Sequence, residues 1–556
     1  MKLIYNTKNL FYFIWFISLS IQAYFTEITY DEAYYWMYSR ELAWGYFDHP
    51  PAIALIIKIG YFLFSNEFGV RLFSILMSTL TLFILEKIIQ PKDIKSFFLL
   101  IFSVGILHFI GFFAIPDSPL LFTTAIYLFF YQKFTIKPNI KNSFLLGITI
   151  SLMCLSKYHG IIIVFLTIIS NLKLLVSRYF WIAAFTASLL LIPHFYWQIN
   201  AGFPSVNYHL FERSTAAYKL TFTLEYLGSQ LVLLGPITGI LFFIAAFKIK
   251  AKNQFEKTLK TLFWGGYIFF FLMSFKGKIE AHWTLFIVLP ALYFGYHYLI
   301  SLQNQKKVIR NIFLISGILI IAVRVLVAID LQSNNANLIA KLTKQFRNKE
   351  DMLAIKKQAK GNPVAFMNSY QKASLYSFYS QSEGFSLNNI MGRKNQFDIW
   401  NVEDKYRGKK IMMIPNYDIK EFDSIKGVSK KMIYHFIDNF QSFSKVKIDV
   451  KNIESTAIKS DTLNIKINLT NTLKTNLNFN INEEYPSYLY YQFFEGDKLI
   501  KQQKSIKIDN KTLEKEINTK VIVPDKAGNY GLYLTIKTGW LPPTINSKRY
   551  LINVSN

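Results

Sequence analysis

The chain has 556 residues, 52% of them hydrophobic and 17% aromatic, with a formal net charge of +27. A nucleic-acid reading of that charge needs the cations gathered on one soluble face; here many sit in short loops between apolar runs, which excludes it and points to membrane topology. The single cysteine, Cys154, lies in an apolar run, so no intrachain disulfide forms and cysteine count says nothing about the redox compartment.

The first ~330 residues are apolar runs near the length of about 20 residues that a spanning helix needs. They predict a polytopic α-helical domain with spans at roughly 9–26, 68–89, 96–115, 118–134, 142–156, 159–176, 179–197, 225–248, 259–275, 282–301 and 308–330. No small-residue cleavage site precedes Thr26, so the first run reads as a retained span rather than a removed signal peptide. One set of alternate loops is basic (Lys87, Lys92 and Lys95; Lys133, Lys137 and Lys141; Lys306, Lys307 and Arg310), and short basic loops stay cytoplasmic. The amino terminus is therefore expected inside, and the acid-rich loops and everything after residue 330 outside.

The first outer loop reads "TYDEAYYWMYSRELAWGYFDHPP". Thr29 followed three residues later by Glu32 fits a capping box, and the aromatic residues suit a helix lying in the membrane interface. The proline pair stops this helix and starts a second interfacial one, "PAIALIIKIGYFLF", with Lys58 at its centre. Asp48 and His49 fall in the turn between the two. Capping accounts for Glu32 but not for Asp31.

Further along, "AIPDSPLLF" puts Asp117 between two runs, where an N-cap role is compatible with a second one. "LSKYHG" puts Lys157, Tyr158 and His159 at another outer turn, and "SFKGKIEAHW" puts Lys276, Lys278, Glu280 and His282 at a third. Cations are normally scarce in outer turns, and polar groups at membrane level are functional candidates. Carboxylates and cations collected on one face match what transfer from a lipid-linked phosphate requires. A positioned carboxylate takes the proton of an acceptor hydroxyl, and fixed cations meet the charge of the departing phosphate.

The tail divides in two. Residues 331–440 mix helix-like stretches with short apolar strands ("PVAFMN", "KKIMMIP"), predicting a small α/β module. Residues 441–556 alternate with period two ("LNIKINLTN", "YGLYLTIKTG"), predicting a β-sandwich.

In order, "DEAYYWMYSRELAWGYFDHPP", "PDSPLLF", "LSKYHG", "FKGKIEAHW" and, in the tail, "SYQKASLYSFY" and "GRKNQFDIW" resemble the bacterial family 39 glycosyltransferases. These are membrane enzymes of the GT-C fold, related to protein O-mannosyltransferases and the lipid A aminoarabinose transferase. The resemblance covers residues ~1–405 in pattern. It implies a polyprenyl-phosphate-sugar donor, inversion at the anomeric carbon, and an acceptor that is a lipid, glycan or protein. It implies catalytic roles for Asp31 and Asp117, and donor-phosphate or substrate contacts from Glu32, Tyr35, Asp48, His49, Lys157, Tyr158, Lys276, Lys278, Glu280 and His282. The residue before the proline pair is a lysine in the aminoarabinose transferases; here it is His49, whose charge would depend on pH. Some GT-C enzymes use a divalent metal; no ligand spacing compels one here, and none is expected.

The combined expectation is a glycosyltransferase of the bacterial inner membrane, divided into residues 1–330, 331–440 and 441–556. The alternative is a transporter or flippase of lipid-linked saccharides, which is expected to show buried charge within its spans. The spans read as free of it.

Overall fold

The structure is a computed structural model. It describes residues 2–213, 218–302, 306–332, 343, 346–390, 392–400, 402–472, 477–479, 486–496, 498–513 and 515–556. The chain divides into two compact units, Met1–Asn348 and Lys349–Asn556.

The first unit is helical: α1 (Lys2–Phe25), α2 (Tyr30–Arg40), α3 (Ala52–Leu63), α4 (Glu67–Ile89), α5 (Ile94–Phe102), α6 (Gly105–Ile110), α7 (Asp117–Ile136), α8 (Ile140–Ser156), α9 (His159–Ser170), α10 (Arg178–Asn200), α11 (Pro204–Asn207), α12 (Leu220–Leu234), α13 (Gly239–Lys248), α14 (Gln254–Ser274), α15 (Val288–Ser301) and α16 (Lys306–Gln332). Polar residues before the apolar runs start several of these helices. The side chains of Asn66, Asp93, Asn139 and Asn253 each accept a hydrogen bond from a backbone N–H in the first turn. The apolar faces meet in one core that includes Leu19, Ile75, Leu100, Leu128, Phe263 and Phe294.

Helices occupy every predicted span. Among the described residues, by length and composition alone, four helices are long and apolar enough to cross a membrane: Glu67–Ile89, Arg178–Asn200, Ala281–Ser301 and Lys306–Ile329. Two bent pairs pass the same test together, Thr7–Phe25 with Tyr30–Arg40 at 92° and Leu220–Leu234 with Gly239–Lys248 at 87°. The first bend separates α1 from the short helix α2, as the sequence led us to expect. The helix α2 ends at Arg40, with Glu41 as its cap, so Trp44 falls beyond it.

The predicted span 159–176 is interrupted at Asn171, where α9 gives way to the 3-10 turn Leu172–Val176, and two further predicted spans are broken. Residues 96–115 break between α5 and α6, where Val104 is extended, and residues 225–248 break at Gly235, whose φ is +146°. The two breaks satisfy each other. The carbonyl of Ser103, released from the α5 ladder, accepts from Thr238 Oγ1 at 3.3 Å and Ser316 Oγ at 3.4 Å. A Cβ at residue 235 would stand 2.5 Å from that same carbonyl oxygen, so glycine is required by contact as well as by backbone angle. Unwound backbone at membrane depth is tolerated only where protein groups satisfy it in this way.

A second correction concerns buried charge. Arg71 and Glu86 in α4 and Arg324 in α16 are all buried within predicted spans. Each is compensated. Glu86 accepts from Lys8 Nζ at 2.5 Å and Tyr12 Oη at 2.8 Å. Arg324 donates to Gln22 Oε1 at 2.7 Å and to the Ser18 carbonyl at 3.1 Å, and its Nη1 lies 3.2 Å from His108 Nδ1. Arg71 pairs with Glu32. These groups join helices to one another, which is how charge persists in an apolar bundle. The first unit also runs past residue 330: Tyr30 Oη donates to Asn348 Oδ1 at 2.7 Å, and Phe346 stacks on Phe113.

In the second unit, a five-stranded sheet has the order β2 (Gly384–Leu387), β1 (Val364–Met367), β3 (Ile411–Ile414), β5 (Ile433–Ile437), β4 (Asp423–Ser424). The pairs β1–β2 and β1–β3 are parallel, with the helix Tyr370–Ser380 making the first crossover. Residues 446–555 form two further sheets. One has the order β10 (Lys498–Lys507), β9 (Ser487–Glu495), β12 (Gly528–Thr538), β13 (Tyr550–Ser555), β7 (Thr456–Ile458). The other has the order β11 (Glu516–Ile522), β8 (Thr462–Asn471), β6 (Val446–Asn452). Alternate residues point inward, and Ile465, Ile467 and Leu469 of one sheet share a core with Tyr491, Leu532 and Leu534 of the other.

Candidate active site

The capping box of α2 forms as read. Thr29 Oγ1 accepts from the Glu32 N–H, and Glu32 Oε2 accepts from the Thr29 N–H at 2.9 Å. Glu32 does far more than cap. It is fully buried and takes a two-point ion pair from Arg71, Nε to Oε1 and Nη2 to Oε2, both at 2.7 Å. Its Oε1 also accepts from the Ala114 N–H at 3.0 Å. With both oxygens committed to protein donors, Glu32 leaves the substrate-binding set and becomes part of the scaffold. Its bond to Ala114 holds the start of α2 against the loop that leads, three residues on, into Asp117. Asp31, the neighbour of Glu32 in the first turn of α2, is exposed.

Asp117 opens α7 and is buried. Both of its oxygens accept from Lys157 Nζ, each at 2.7 Å, and His282 Nε2 lies 3.7 Å from Oδ2. Lys157 is the C-cap of α8 and is also buried, so the pair brings the ends of α7 and α8 together away from bulk water. The loop between α2 and α3 approaches from the side. Asp48 is buried and accepts from Tyr38 Oη at 2.5 Å; His49 Nε2 lies 3.1 Å from Tyr35 Oη. The Nδ1 atom of His49 is buried with no hydrogen-bond partner, and the ring lies within electrostatic reach of both Asp117 and Lys157.

Burial pushes the His49 imidazole down to about 3, an effect the neighbouring Asp48 carboxylate only partly opposes. His49 is therefore neutral at physiological pH. The expectation of a pH-dependent cation before the proline pair is corrected: the turn is folded inward against Tyr35 rather than solvated.

Of the other sequence candidates, Tyr158 is anchored by Gln198 Nε2, which donates to its Oη at 2.8 Å and to Ser205 Oγ at 2.8 Å. Ser205 in turn donates to the Tyr46 carbonyl at 2.9 Å, tying α10 and α11 to the loop between α2 and α3. Glu280 immediately precedes the 3-10 turn Ala281–Ile287 that carries His282, without a side-chain capping bond. Lys276 and Lys278 are exposed on the approach to it. The structure thus gathers Asp117, Lys157, His282, Asp48, His49, Tyr35 and Tyr158, and leaves Asp31, Lys276 and Lys278 at the surface.

Two contributors were missed in the sequence. His209 donates from Nε2 to the Asp48 carbonyl at 2.9 Å, and its ring packs 5.6 Å from Tyr158. Burial lowers its basicity, with Arg213 acting in the same direction. Arg213 lies over the Trp283 ring at 4.2 Å, beside His282. Their signal was the polar cluster "YHLFER" between two apolar runs. Among the described residues, no group of three His, Cys, Asp or Glu side chains is arranged to hold a metal ion.

Residues 48–197 match the family described as dolichyl-phosphate-mannose-protein mannosyltransferase. The lipid A galacturonosyltransferase RgtD of Rhizobium johnstonii is 25% identical over 276 residues, which is 47% of this chain and 58% of that protein. This chain therefore spans a little over half of the curated relative's length. In fold it is similar to ArnT from Cupriavidus metallidurans in the apo state, with a TM-score of 0.58 at 12% identity over 76% of this chain and 97% of that one. The same protein bound to undecaprenyl phosphate gives a TM-score of 0.55 at 12% identity and the same coverage.

Proposed function

On the premise that the chain is a family 39-like glycosyltransferase of GT-C fold, we propose that it moves a sugar, with inversion, from a polyprenyl-phosphate donor to a lipid acceptor. The observation that carries the reading is the buried Asp117–Lys157 pair with His282 and His49 beside it, set against the start of α2 by the Glu32–Ala114 bond. The fold likeness to a protein solved with undecaprenyl phosphate supports the donor class. The likeness to a lipid A galacturonosyltransferase supports a glycolipid acceptor.

In this reading Asp31 accepts the proton of the acceptor hydroxyl as its oxygen attacks the anomeric carbon. The bond from that carbon to the phosphate oxygen breaks, and its electron pair leaves with the polyprenyl phosphate. Lys276 and Lys278, exposed and on one turn, meet the phosphate charge. Asp117 holds Lys157 and lies beside His282, so it positions a cation and an imidazole rather than taking the proton; its two oxygens are already occupied. Tyr35 and Asp48 hold the first outer loop in place, and the neutral His49 offers a hydrogen bond rather than a charge. The phosphate is neutralised by the chain's own cations, and no metal is assigned.

We further propose that all eleven predicted segments cross the inner membrane, three of them as broken helices. The amino terminus is then cytoplasmic, and the unit Lys349–Asn556 lies outside. The buried charges Arg71, Glu86 and Arg324 are each fixed to neighbouring helices, which favours a rigid scaffold over a transport path.

The test is reconstitution of the purified chain with a panel of polyprenyl-phosphate sugars and a glycolipid acceptor. Acceptor-dependent release of polyprenyl phosphate, with the sugar found on the acceptor, supports the reading. Movement of intact sugar-lipid across the bilayer without cleavage overturns it.

A further inference from the structure

The opposite end of the helices carries a feature that the proposed reaction does not use. Lys95 sits in the first turn of α5, and Lys306, Lys307 and Arg310 sit within the first five residues of α16. Helix amino termini already bear partial positive charge, so cations there oppose the dipole. All four border one cleft of about 690 Å³ between these helices. Lys306 is paired, with Asp93 Oδ2 at 3.2 Å. Among the described residues no carboxylate pairs with Lys95, Lys307 or Arg310. The charge rule for loops explains why cations occur here. It does not explain why two helices aim them at one cleft.

The cleft is layered. Leu99 and Leu314 line it, each four residues after a cation, Lys95 and Arg310 respectively. Positions four apart share a helix face, so an apolar wall lies one turn below the basic rim. Phosphate over acyl chain is the same layering.

We propose that the cleft between α5 and α16 binds an anionic phospholipid of the bilayer. Its phosphate diester lies among Lys95, Lys307 and Arg310, and an acyl chain lies against Leu99 and Leu314. The cations placed against the two helix dipoles then gain the counter-charge that, among the described residues, only Asp93 supplies. Basic pockets between membrane helices recognise anionic headgroups in this way. The site is remote from Asp117. The helix α4 runs from Glu67, at the Arg71–Glu32 end, to Ile89, four residues before Asp93. At 1.5 Å per residue, that places the two sites roughly 35 Å apart. The proposal therefore stands or falls separately from the reaction.

The experiment is native mass spectrometry of the full chain in detergent, with phosphatidylglycerol, phosphatidylcholine or inorganic phosphate added. Wild type is expected to retain phosphatidylglycerol in preference to phosphatidylcholine. The variant Lys307→Gln/Arg310→Gln is expected to bind it more weakly by about fivefold for each cation removed. Lys307→Arg keeps the charge and is expected to retain the lipid, which separates loss of the site from loss of folding. Equal retention by wild type and by a folded Lys307→Gln/Arg310→Gln variant overturns the proposal. So does displacement of the lipid by inorganic phosphate at equal concentration, which would mark a site for free anions.

Discussion

Arg71 and Glu32 form a fully buried two-point ion pair, and the remaining Arg71 donors go to the carbonyls of Ala23 at 3.0 Å, Thr26 at 2.6 Å and Glu27 at 2.8 Å. One guanidinium thus ties the end of α1, the start of α2 and the body of α4, while Glu32 reaches on to Ala114 before α7. Breaking a buried pair by removing one partner leaves an uncompensated charge and costs about 3–5 kcal/mol. Arg71→Met is therefore expected to lower the thermal midpoint of the detergent-solubilised chain sharply or to abolish its recovery. Asp31→Asn, at the exposed neighbour of Glu32, is expected to lower the midpoint far less.

Asp117 and Lys157 invite a double-mutant cycle. Asp117→Asn strands a buried ammonium, and Lys157→Met strands a buried carboxylate, so each alone is expected to destabilise by about 3 kcal/mol or more. The double variant is expected to be more stable than either single one, because neither charge is left alone. It is expected to be inactive all the same. Thermal unfolding of the four proteins checks this; additive losses would show that the pair does not couple.

His49 makes a pH prediction with a definite sign. Its folded pKa is lowered to about 3 from an ordinary 6.5, so between those values the unfolded chain binds a proton that the folded chain refuses. Its contribution to stability is therefore fully present above pH 6.5 and is lost as the pH falls toward 3. The His49 ring carbon resonances are expected to show no titration between pH 5 and 8. His49→Gln is expected to flatten part of the acid slope of the melting curve. A midpoint near 6.5 for the ring would contradict the buried, neutral turn.

How much of this was legible in the sequence follows from which signals are local. Apolar helices and the capping box at Thr29 and Glu32 are short-range patterns of hydropathy and capping, and they read directly. The break at Val104 was not legible, because its cause lies far away: the freed Ser103 carbonyl is satisfied by Thr238 and Ser316, more than 130 residues on. Its counterpart at Gly235 carried a visible cue, glycine followed by Pro236, within a run that hydropathy joins into one. Arg71 stands in an apolar run that the sequence reading took as free of buried charge, and its partner was hidden by a separation of 39 residues. The gathering of Asp117, Lys157 and His282 was legible as residue types on one face, but the clasp that occupies both Asp117 oxygens was not. That clasp is why the proposed mechanism keeps the role of base on Asp31 and gives Asp117 a positioning role.

Assigning the phosphate charge to Lys276 and Lys278 makes a further prediction. Transfer is expected to continue at an unchanged rate in excess EDTA. Lys276→Gln/Lys278→Gln is expected to weaken donor binding with little change in stability, since both side chains are exposed. Loss of activity in EDTA, restored by a divalent cation, would reassign that role to a metal.

The central claim is that Asp31 deprotonates the acceptor at the outer mouth of the bundle. It is tested most directly by the single-turnover rate of sugar transfer from a polyprenyl-phosphate donor, wild type against Asp31→Asn, with donor binding measured in parallel. The expected result is a fall in rate of about 10²–10⁴-fold with donor binding and thermal midpoint retained. Undiminished transfer by Asp31→Asn would contradict it.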